Sequence, residues 1–593
     1  MLVAVAVAFV AILVRLADIQ VFTPSRYTDY ARLQDTHTTI LPALRGSILD
    51  RSGRALALSQ LRSDIIADDY QVSDPSGEAR TLAAVLHLSA STLQAKLQQN
   101  SGFVYLDRGV PTATGQQVSG LALPGITVKQ TPERFYPAGQ LALPVLGALN
   151  ASGVGVAGLE YAYNKVLSGT PGRLVQEVDP QGQPIAGGTL ENKPAVLGDD
   201  LVLSLDEPLQ YQTEQALAQA IVAARARSGI AMVMNVHTGG LLAVADLSAP
   251  GGNTTSPPAL PVAVGTGGAL LPPGRQTASP QPVESASADA FTQVYEPGSV
   301  EKLITVSAAL ASGTATPGQI FTIPNAYPVD GISIHDAENH GTEELSLTGI
   351  VAQSSNIGAA QVVQRLGAQA LYHYLHLFGL GAPTPVRFPG QSPGLVPPLA
   401  HLSPVRLATM AYGEGIAVTA AQMISAYNTI ANGGVYVPPH LVKAFLGPNG
   451  REHLVPQPQP HRVVSQNVAD EMTSILEQVV SAGTGTPAQV AGYAVAGKTG
   501  TAQFDGPHGY VAGRTVASFA GFAPAQNPAI TVMVVVDDTG DYGAQAAAPA
   551  FAAIARDALA DLRIPPYGPQ PPASPAALPQ PVGAGAAPAA PLG

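Results

Sequence analysis

Ser299 and Lys302 stand three residues apart at the start of a long apolar segment, Ser299-Val300-Glu301-Lys302-Leu303-Ile304-Thr305-Val306-Ser307-Ala308-Ala309-Leu310. On a helix that spacing puts both side chains on one face, within reach of each other. A serine hydroxyl is a poor nucleophile until a base removes its proton, and a neutral lysine amine beside it can serve as that base. A free lysine is almost fully protonated at pH 7, so its pKa must fall by roughly three, about 4 kcal/mol. Burial among apolar neighbours pushes in that direction, and so does a second cation nearby. Taken alone the pair says little, because Ser and Lys at this spacing are common on ordinary helices.

Two further groups supply what such a pair lacks. Ser354-Ser355-Asn356 offers hydroxyls and an amide on a short loop, suited to relaying a proton and binding a substrate amide. Its ordinary reading is a helix cap or turn. Gly497-Lys498-Thr499-Gly500-Thr501-Ala502-Gln503 reads as a strand whose two glycines let another backbone lie close alongside, as strand addition by a peptide requires. Lys498 brings positive charge for a carboxylate and for lowering the pKa of Lys302. Its ordinary reading is an edge strand guarded by a lysine.

The elements that must hold these groups are legible nearby. Pro297 and Gly298 break the chain just before Ser299, so a helix starts at or next to the nucleophile, with apolar positions 300, 303, 304 and 308 on one face. Residues 492–503, 517–523 and 529–536 read as successive strands; the last is β-branched and too apolar for an exposed edge. In this order, Ser-x-x-Lys, a Ser-x-Asn loop and Lys-Thr-Gly form the signature shared by serine β-lactamases and penicillin-binding proteins.

The whole chain has 593 residues and implies roughly two to four domains. With 46% hydrophobic residues it can bury a sizeable core. A net charge of -12, from 41 acidic and 29 basic residues, argues against a general nucleic-acid binder. The absence of cysteine removes disulfides, thiolate nucleophiles, Cys-zinc sites and Fe–S clusters, and suits an exported chain.

Organisation follows from composition. Residues 1–22 form a membrane anchor: the unbroken apolar run of residues 1–14 rises roughly 21 Å, short of the roughly 30 Å hydrocarbon core, so the true start is expected upstream. Residues 27–197 mix polar helices, short strands and turns, and residues 199–564 read as a large mixed α/β domain. Within it, residues 248–288 form a Pro-, Gly- and Ser-rich flexible insertion, and residues 565–593 a Pro/Ala-rich disordered tail. His335, Asp336 and His340 lie close in sequence, as do His373 and His376, but both groups read as ordinary histidines and no metal or other cofactor is expected.

The chain resembles class B penicillin-binding proteins, monofunctional D,D-transpeptidases, over almost its whole length, and the septal type more than the elongation type. The resemblance rests on Arg45-Gly46-Ser47-Ile48-Leu49-Asp50-Arg51-Ser52-Gly53, Arg134-Phe135-Tyr136-Pro137, Gly158-Leu159-Glu160 and Tyr295-Glu296-Pro297-Gly298-Ser299. Further along, Tyr412-Gly413-Glu414-Gly415-Ile416, Thr419, Gln422 and Ala431-Asn432-Gly433-Gly434 follow the family's order. It implies a transpeptidase domain of β-lactamase-like fold, an antiparallel sheet flanked by helices, preceded by an elongated α+β pedestal and an N-terminal membrane helix. Ser299 would attack the D-Ala-D-Ala carbonyl of a stem peptide with Lys302 as base, and a second stem peptide's amine would resolve the acyl-enzyme. Ser354 and Asn356 would shuttle the proton and hold the amide. Lys498 and Thr499-Gly500-Thr501 would bind the terminal carboxylate. The backbone N–H groups of Ser299 and Thr501 would form the oxyanion hole. Ideal strand alternation puts Lys498 and Thr501 on opposite faces, so the role of the Thr501 hydroxyl comes from the resemblance alone. β-Lactams would acylate Ser299. A polytopic glycan polymerase and division proteins would be partners, with the catalytic domain outside the cytoplasmic membrane.

The family's Asn-Arg pair before the nucleophile is missing, since Ser287-Ala288-Asp289-Ala290 stands there. Rival readings are an elongation-type transpeptidase, a β-lactamase or β-lactam sensor, which needs no counterpart of residues 27–197, and a non-catalytic division scaffold, which needs none of Ser299, Lys302 and Lys498.

Overall fold

The computed structural model describes residues 2–22, 36–179, 184–249, 282–506 and 509–566. Most of the insertion expected at 248–288, and the tail from residue 567, lie outside the described residues.

The first helix, α1 (Leu2–Ala17), continues as a π-helical turn over Asp18–Phe22 and rises roughly 30 Å in all. It runs past the polar positions that end the apolar run because Arg15 pairs with Asp18 at 2.6 Å, one turn away on the helix. Its segment Val3–Gln20, of mean hydropathy 2.1 and unburied, is long and apolar enough to cross a membrane.

The first half, where a pedestal is expected, follows as β1 (Thr36–Leu41), β2 (Ile48–Leu49), β3 (Ala55–Ala67), α2 (Pro75–Leu86), α3 (Ala90–Leu97), β4 (Val104–Pro111), β5 (Ile126–Phe135), β6 (Gly172–Val178) and β7 (Pro184–Lys193). Asp74 caps α2 by accepting from the Gly77 N–H, and Ser89 caps α3. Leu82, Leu86, Leu93 and Leu97 recur at helical spacing and bury against Ile65, Leu106 and Val118 as a small separate core.

The second half begins with β8 (Asp200–Leu203), α4 (Glu207–Ala224), β9 (Ser228–Asn235), β10 (Leu241–Ser248) and β11 (Val283–Glu284). Helices α5 (Lys302–Ala311), α6 (Leu347–Ala352), α7 (Asn356–Leu366) and α8 (Ala420–Ala431) come next, then β12 (Val442–Leu446), β13 (Glu452–Leu454) and α9 (Gln466–Ala482). The chain closes with β14 (Ala496–Gly506), β15 (Gly509–Ala523), β16 (Ile530–Thr539) and α10 (Ala548–Asp561). An antiparallel sheet of order β11-β10-β9-β16-β15-β14 sits between two helical layers. Strand alternation explains the unbroken apolar run of β16. Val532, Val534 and Val536 enter one core with α4 and α10, while Met533 and Val535 enter the other with α5 and α8. β14 ends the sheet among the described residues.

A second sheet, of order β13-β12-β8-β2-β3-β4 with β5 paired along β3, runs across the boundary expected at 197–199. Its crossing point is a parallel pair, Ile48 with Leu201 and Leu49 with Val202.

Candidate active site

Gly298 makes the nucleophile turn. Its φ of +58° is left-handed, and a Cβ there would stand 2.7 Å from the Thr501 carbonyl oxygen, so a side chain would push β14 away. The chain then makes a 3-10 turn over Gly298–Glu301 and enters α5 at Lys302. Ser299 is half-buried and Lys302 fully buried. The expected helix thus starts as a tighter turn, which still brings Lys302 Nζ to 2.9 Å from Ser299 Oγ.

The Ser354-Ser355-Asn356 segment links α6 to α7. Ser355 caps α7, accepting from the Gly358 N–H at 2.9 Å. Ser354, at φ +65°, is a non-glycine residue in the left-handed region. That conformation directs its carbonyl and hydroxyl to Lys302: Nζ donates to Ser354 O at 2.6 Å and lies 3.3 Å from Ser354 Oγ. Nζ also donates to Asn356 Oδ1 at 2.9 Å, and Ser354 Oγ donates to Ser299 Oγ at 2.9 Å. Ser299, Lys302, Ser354 and Asn356 are therefore one hydrogen-bonded group. Burial pulls the Lys302 pKa down to about 7, against the opposing pull of the Asp336, Glu301 and Glu414 carboxylates. A neutral amine keeps two N–H groups. Ser354 O and Asn356 Oδ1 accept and cannot donate, so they take both and leave the lone pair for the Ser299 hydroxyl.

Lys498 is fully buried on β14. Its Nζ donates to Thr499 O at 3.0 Å and to Thr499 Oγ1 at 3.1 Å, with Thr484 Oγ1 at 3.5 Å. Burial, then repulsion from Lys302, pushes its pKa well below that of a free lysine. The repulsion expected between the two cations thus falls on Lys498, whereas burial is what lowers Lys302. The Thr501 hydroxyl accepts from the Gly543 N–H at 3.1 Å, and its backbone passes directly against Gly298. Gly500 lies where a Cβ would meet Pro297 O at 2.8 Å and Val300 Cγ1 at 3.0 Å, so its lack of a side chain lets β14 seat against the nucleophile turn.

Sequence reasoning gave no role in the site to three contributors. Thr484 shares a 2.8 Å hydrogen bond with Thr499 Oγ1, and its N–H donates to Ala352 O at 3.2 Å, tying α6 to β14. Its only sequence signal is a Gly-Thr-Gly-Thr turn at 483–486. Glu301, between nucleophile and base, is fully buried and accepts at both oxygens from Thr305 Oγ1 at 3.0 Å, and burial pushes its pKa well above that of a free carboxyl. Asp336 meets the Ser355-Asn356 turn through space, without any periodic spacing to reveal it.

The sequence matches the penicillin binding protein transpeptidase domain over residues 229–556 and the penicillin-binding protein dimerisation domain over residues 40–203. It is 32% identical over 530 residues to penicillin-binding protein PbpB of Mycobacterium tuberculosis, covering 84% of this chain and 75% of that one. With the peptidoglycan D,D-transpeptidase FtsI of Escherichia coli it shares 31% identity over 572 residues, covering 94% and 90%. The crystal structure of a peptidoglycan synthetase from Bifidobacterium adolescentis superposes with a TM-score of 0.70 at 29% identity, covering 90% of this chain and 98% of that one. Penicillin binding protein 3 from Mycobacterium tuberculosis, complexed with aztreonam, gives 0.67 at 28% identity, covering 90% and 99%.

Proposed function

This chain belongs to the penicillin-binding protein transpeptidases, and we propose that it cross-links peptidoglycan stem peptides through an acyl-enzyme on Ser299. It is a peptidoglycan D,D-transpeptidase of class B type. The observation that carries the assignment of residues is the convergence on one amine: Lys302 Nζ lies 2.9 Å from both Ser299 Oγ and Asn356 Oδ1.

Neutral Lys302 takes the Ser299 proton as Oγ attacks the penultimate D-Ala carbonyl. The oxyanion is received by the backbone N–H groups of Ser299 and Thr501, each worth roughly 3–4 kcal/mol in the transition state. As the C–N bond breaks, the proton passes through Ser354 Oγ, 2.9 Å from Ser299 Oγ, to the departing D-Ala amine. The acceptor amine of a second stem peptide reverses these steps: it attacks the ester carbonyl, gives its proton to Lys302 and releases Ser299. Asn356 holds the donor amide. Lys498, Thr499, Gly500 and Thr501 receive the terminal carboxylate, on a strand that ends its sheet among the described residues, the position that strand addition by a peptide requires. Penicillin takes the same path with its β-lactam carbonyl.

The domains are assigned as a membrane anchor at 1–22, a pedestal at 27–197 and a transpeptidase domain at 199–564. The apolar segment Val3–Gln20 supports a single-pass protein with its catalytic part outside the cytoplasmic membrane. Septal wall synthesis is supported by residues 15–56 and by the likeness to FtsI. A polytopic glycan polymerase and division proteins are the proposed partners of anchor and pedestal.

Fluorescent penicillin tests the reading. A stable adduct that forms on the wild-type protein and not on Ser299→Ala is expected. Rapid turnover of the adduct assigns a β-lactamase instead, and a folded protein that never labels assigns a scaffold.

A further inference from the structure

The Ser354-Ser355-Asn356 turn is backed by a carboxylate from elsewhere in the chain. Asp336 lies in the connection between the short strands Ile332–Ile334 and Glu343–Ser346, and its side chain keeps only 10% of its exposure. Its Oδ1 accepts from the backbone N–H groups of Asn356 at 2.5 Å and Ile357 at 2.9 Å. Its Oδ2 accepts from Ser355 Oγ at 2.7 Å and lies 3.2 Å from His340 Nε2. Both N–H donors belong to the first turn of α7, where helical backbone has no internal partner for them. The residue these bonds follow is Ser354, which holds a left-handed conformation that a serine does not adopt without support.

We propose that Asp336 is a positioning residue for acylation: its carboxylate fixes the turn that presents Ser354 and Asn356 to Lys302, and its negative charge stabilises the Lys302 ammonium. The proposal rests on the assignment of Ser299 and Lys302 given above. Three carboxyl groups bear on Lys302, those of Asp336, Glu301 and Glu414, and Lys498 is the cation that faces it. Asp336 itself faces His340, Tyr412 and Lys302, with Glu343 3.8 Å beyond His340. Burial pushes the Glu301 pKa well above that of a free carboxyl, and both its oxygens accept from Thr305 rather than from the turn. Asp336 is the carboxylate bound directly to the turn that carries Lys302's acceptors.

The two roles separate by substitution. In Asp336→Asn the amide oxygen still accepts from Asn356 and Ile357, and the amide group can bond Ser355 Oγ, so the turn survives while the charge is lost. Asp336→Ala loses both. The readout is the acylation rate by fluorescent penicillin between pH 5 and 9, with a thermal melt of each variant. Without the negative charge the ammonium is less stable, so Lys302 releases its proton at lower pH. For Asp336→Asn the acid limb is expected to move down by about half a pH unit, with the plateau within about threefold of wild type. For Asp336→Ala the plateau is expected to fall about 100-fold, because the acceptors of Lys302 are displaced. An acid limb that stays in place in Asp336→Asn, or a folded Asp336→Ala within threefold of the wild-type plateau, overturns the proposal. If the alanine variant does not fold, the asparagine variant decides through its acid limb. A wild-type protein that does not label removes the underlying assignment instead, so the two failures are told apart.

Discussion

In the proposed mechanism Lys302 has to be neutral to take a proton from Ser299 and charged a moment later, and its surroundings favour neither form strongly. Full burial disfavours the ammonium, while Ser354 O at 2.6 Å, Asn356 Oδ1 at 2.9 Å and the nearby carboxylates favour it. The balance near 7 sets a sign. Below that pH the amine is protonated and cannot act as base, so the acylation rate is expected to fall about tenfold per pH unit on the acid side and level off above. Lys302→Arg, whose guanidinium stays charged, should lose roughly 10²–10⁴-fold at every pH. A pH-independent rate in the wild type would show that another group is the base. Thr484 belongs to the same scale. Its hydroxyl bonds Thr499 Oγ1 at 2.8 Å and stands 3.5 Å from Lys498 Nζ, so Thr484→Val leaves the pair proposed to bind the carboxylate short of a partner in a buried place. Penicillin acylation should drop about tenfold in Thr484→Val and recover in Thr484→Ser, which restores the hydroxyl. Equal rates in the valine and wild-type proteins would reduce Thr484 to packing.

At the scale of elements, the stretches that sequence reads well are those whose packing repeats along the chain. The strand at 529–536 is legible because β16 is buried on both faces and its residues alternate between two cores. The helix after Pro297-Gly298 is legible because the break and the apolar face coincide. Asp336 and Thr484 are not legible, because their partners lie 19 to 21 and 15 residues away through turns with no period. The same limit hides a buried acidic group behind the sheet. Glu214 on α4 accepts from the Ala142 N–H at 2.9 Å and from Gln210 Nε2 at 2.8 Å. Glu284 on β11 meets Glu214, and burial followed by the charge of Glu214 pushes its pKa up to about 10. Folded, Glu284 holds its proton through neutral pH; unfolded, it releases it above its ordinary value near 4.5. Its contribution therefore lowers stability as pH rises from about 4.5 towards 10. Glu284→Gln should stabilise the protein at pH 8 by roughly 1–3 kcal/mol, with the gain fading towards pH 4. Thermal melts at the two pH values check this, and a lower melting temperature for the variant at pH 8 would refute it.

The whole molecule is joined where three distant motifs meet. Glu160 is fully buried between two guanidinium groups: Arg45 Nε donates to its Oε2 at 2.6 Å and Arg134 Nε to its Oε1 at 2.8 Å. Arg45 also reaches Asn164 Oδ1 at 2.7 Å, and Arg134 reaches the Gly46 carbonyl at 2.7 Å. The motifs at 45–53, 134–137 and 158–160, separate in sequence, are thus one ion cluster. Gly46 leads straight into β2, which pairs with β8, and β8 pairs in turn with β12 inside the matched transpeptidase range. Ile48, Leu56, Val145 and Leu159 share a single core cluster with Leu201, Met232 and Leu303. A continuous sheet through β2, β8 and β12 and a shared core bind the two halves more tightly than a linker would, so they should melt together. Glu160→Ala leaves two buried guanidinium groups facing each other with no anion, a loss of about 3–5 kcal/mol. The catalytic residues are untouched, so penicillin should still label Ser299 at low temperature. If the halves are one cooperative unit, heating should abolish labelling at a temperature lowered by the same amount as the pedestal's own unfolding, followed by limited proteolysis. A variant whose pedestal is cleaved early while labelling survives to the wild-type temperature would mean that the catalytic half stands alone, and that the β8–β12 pairing contributes little to it.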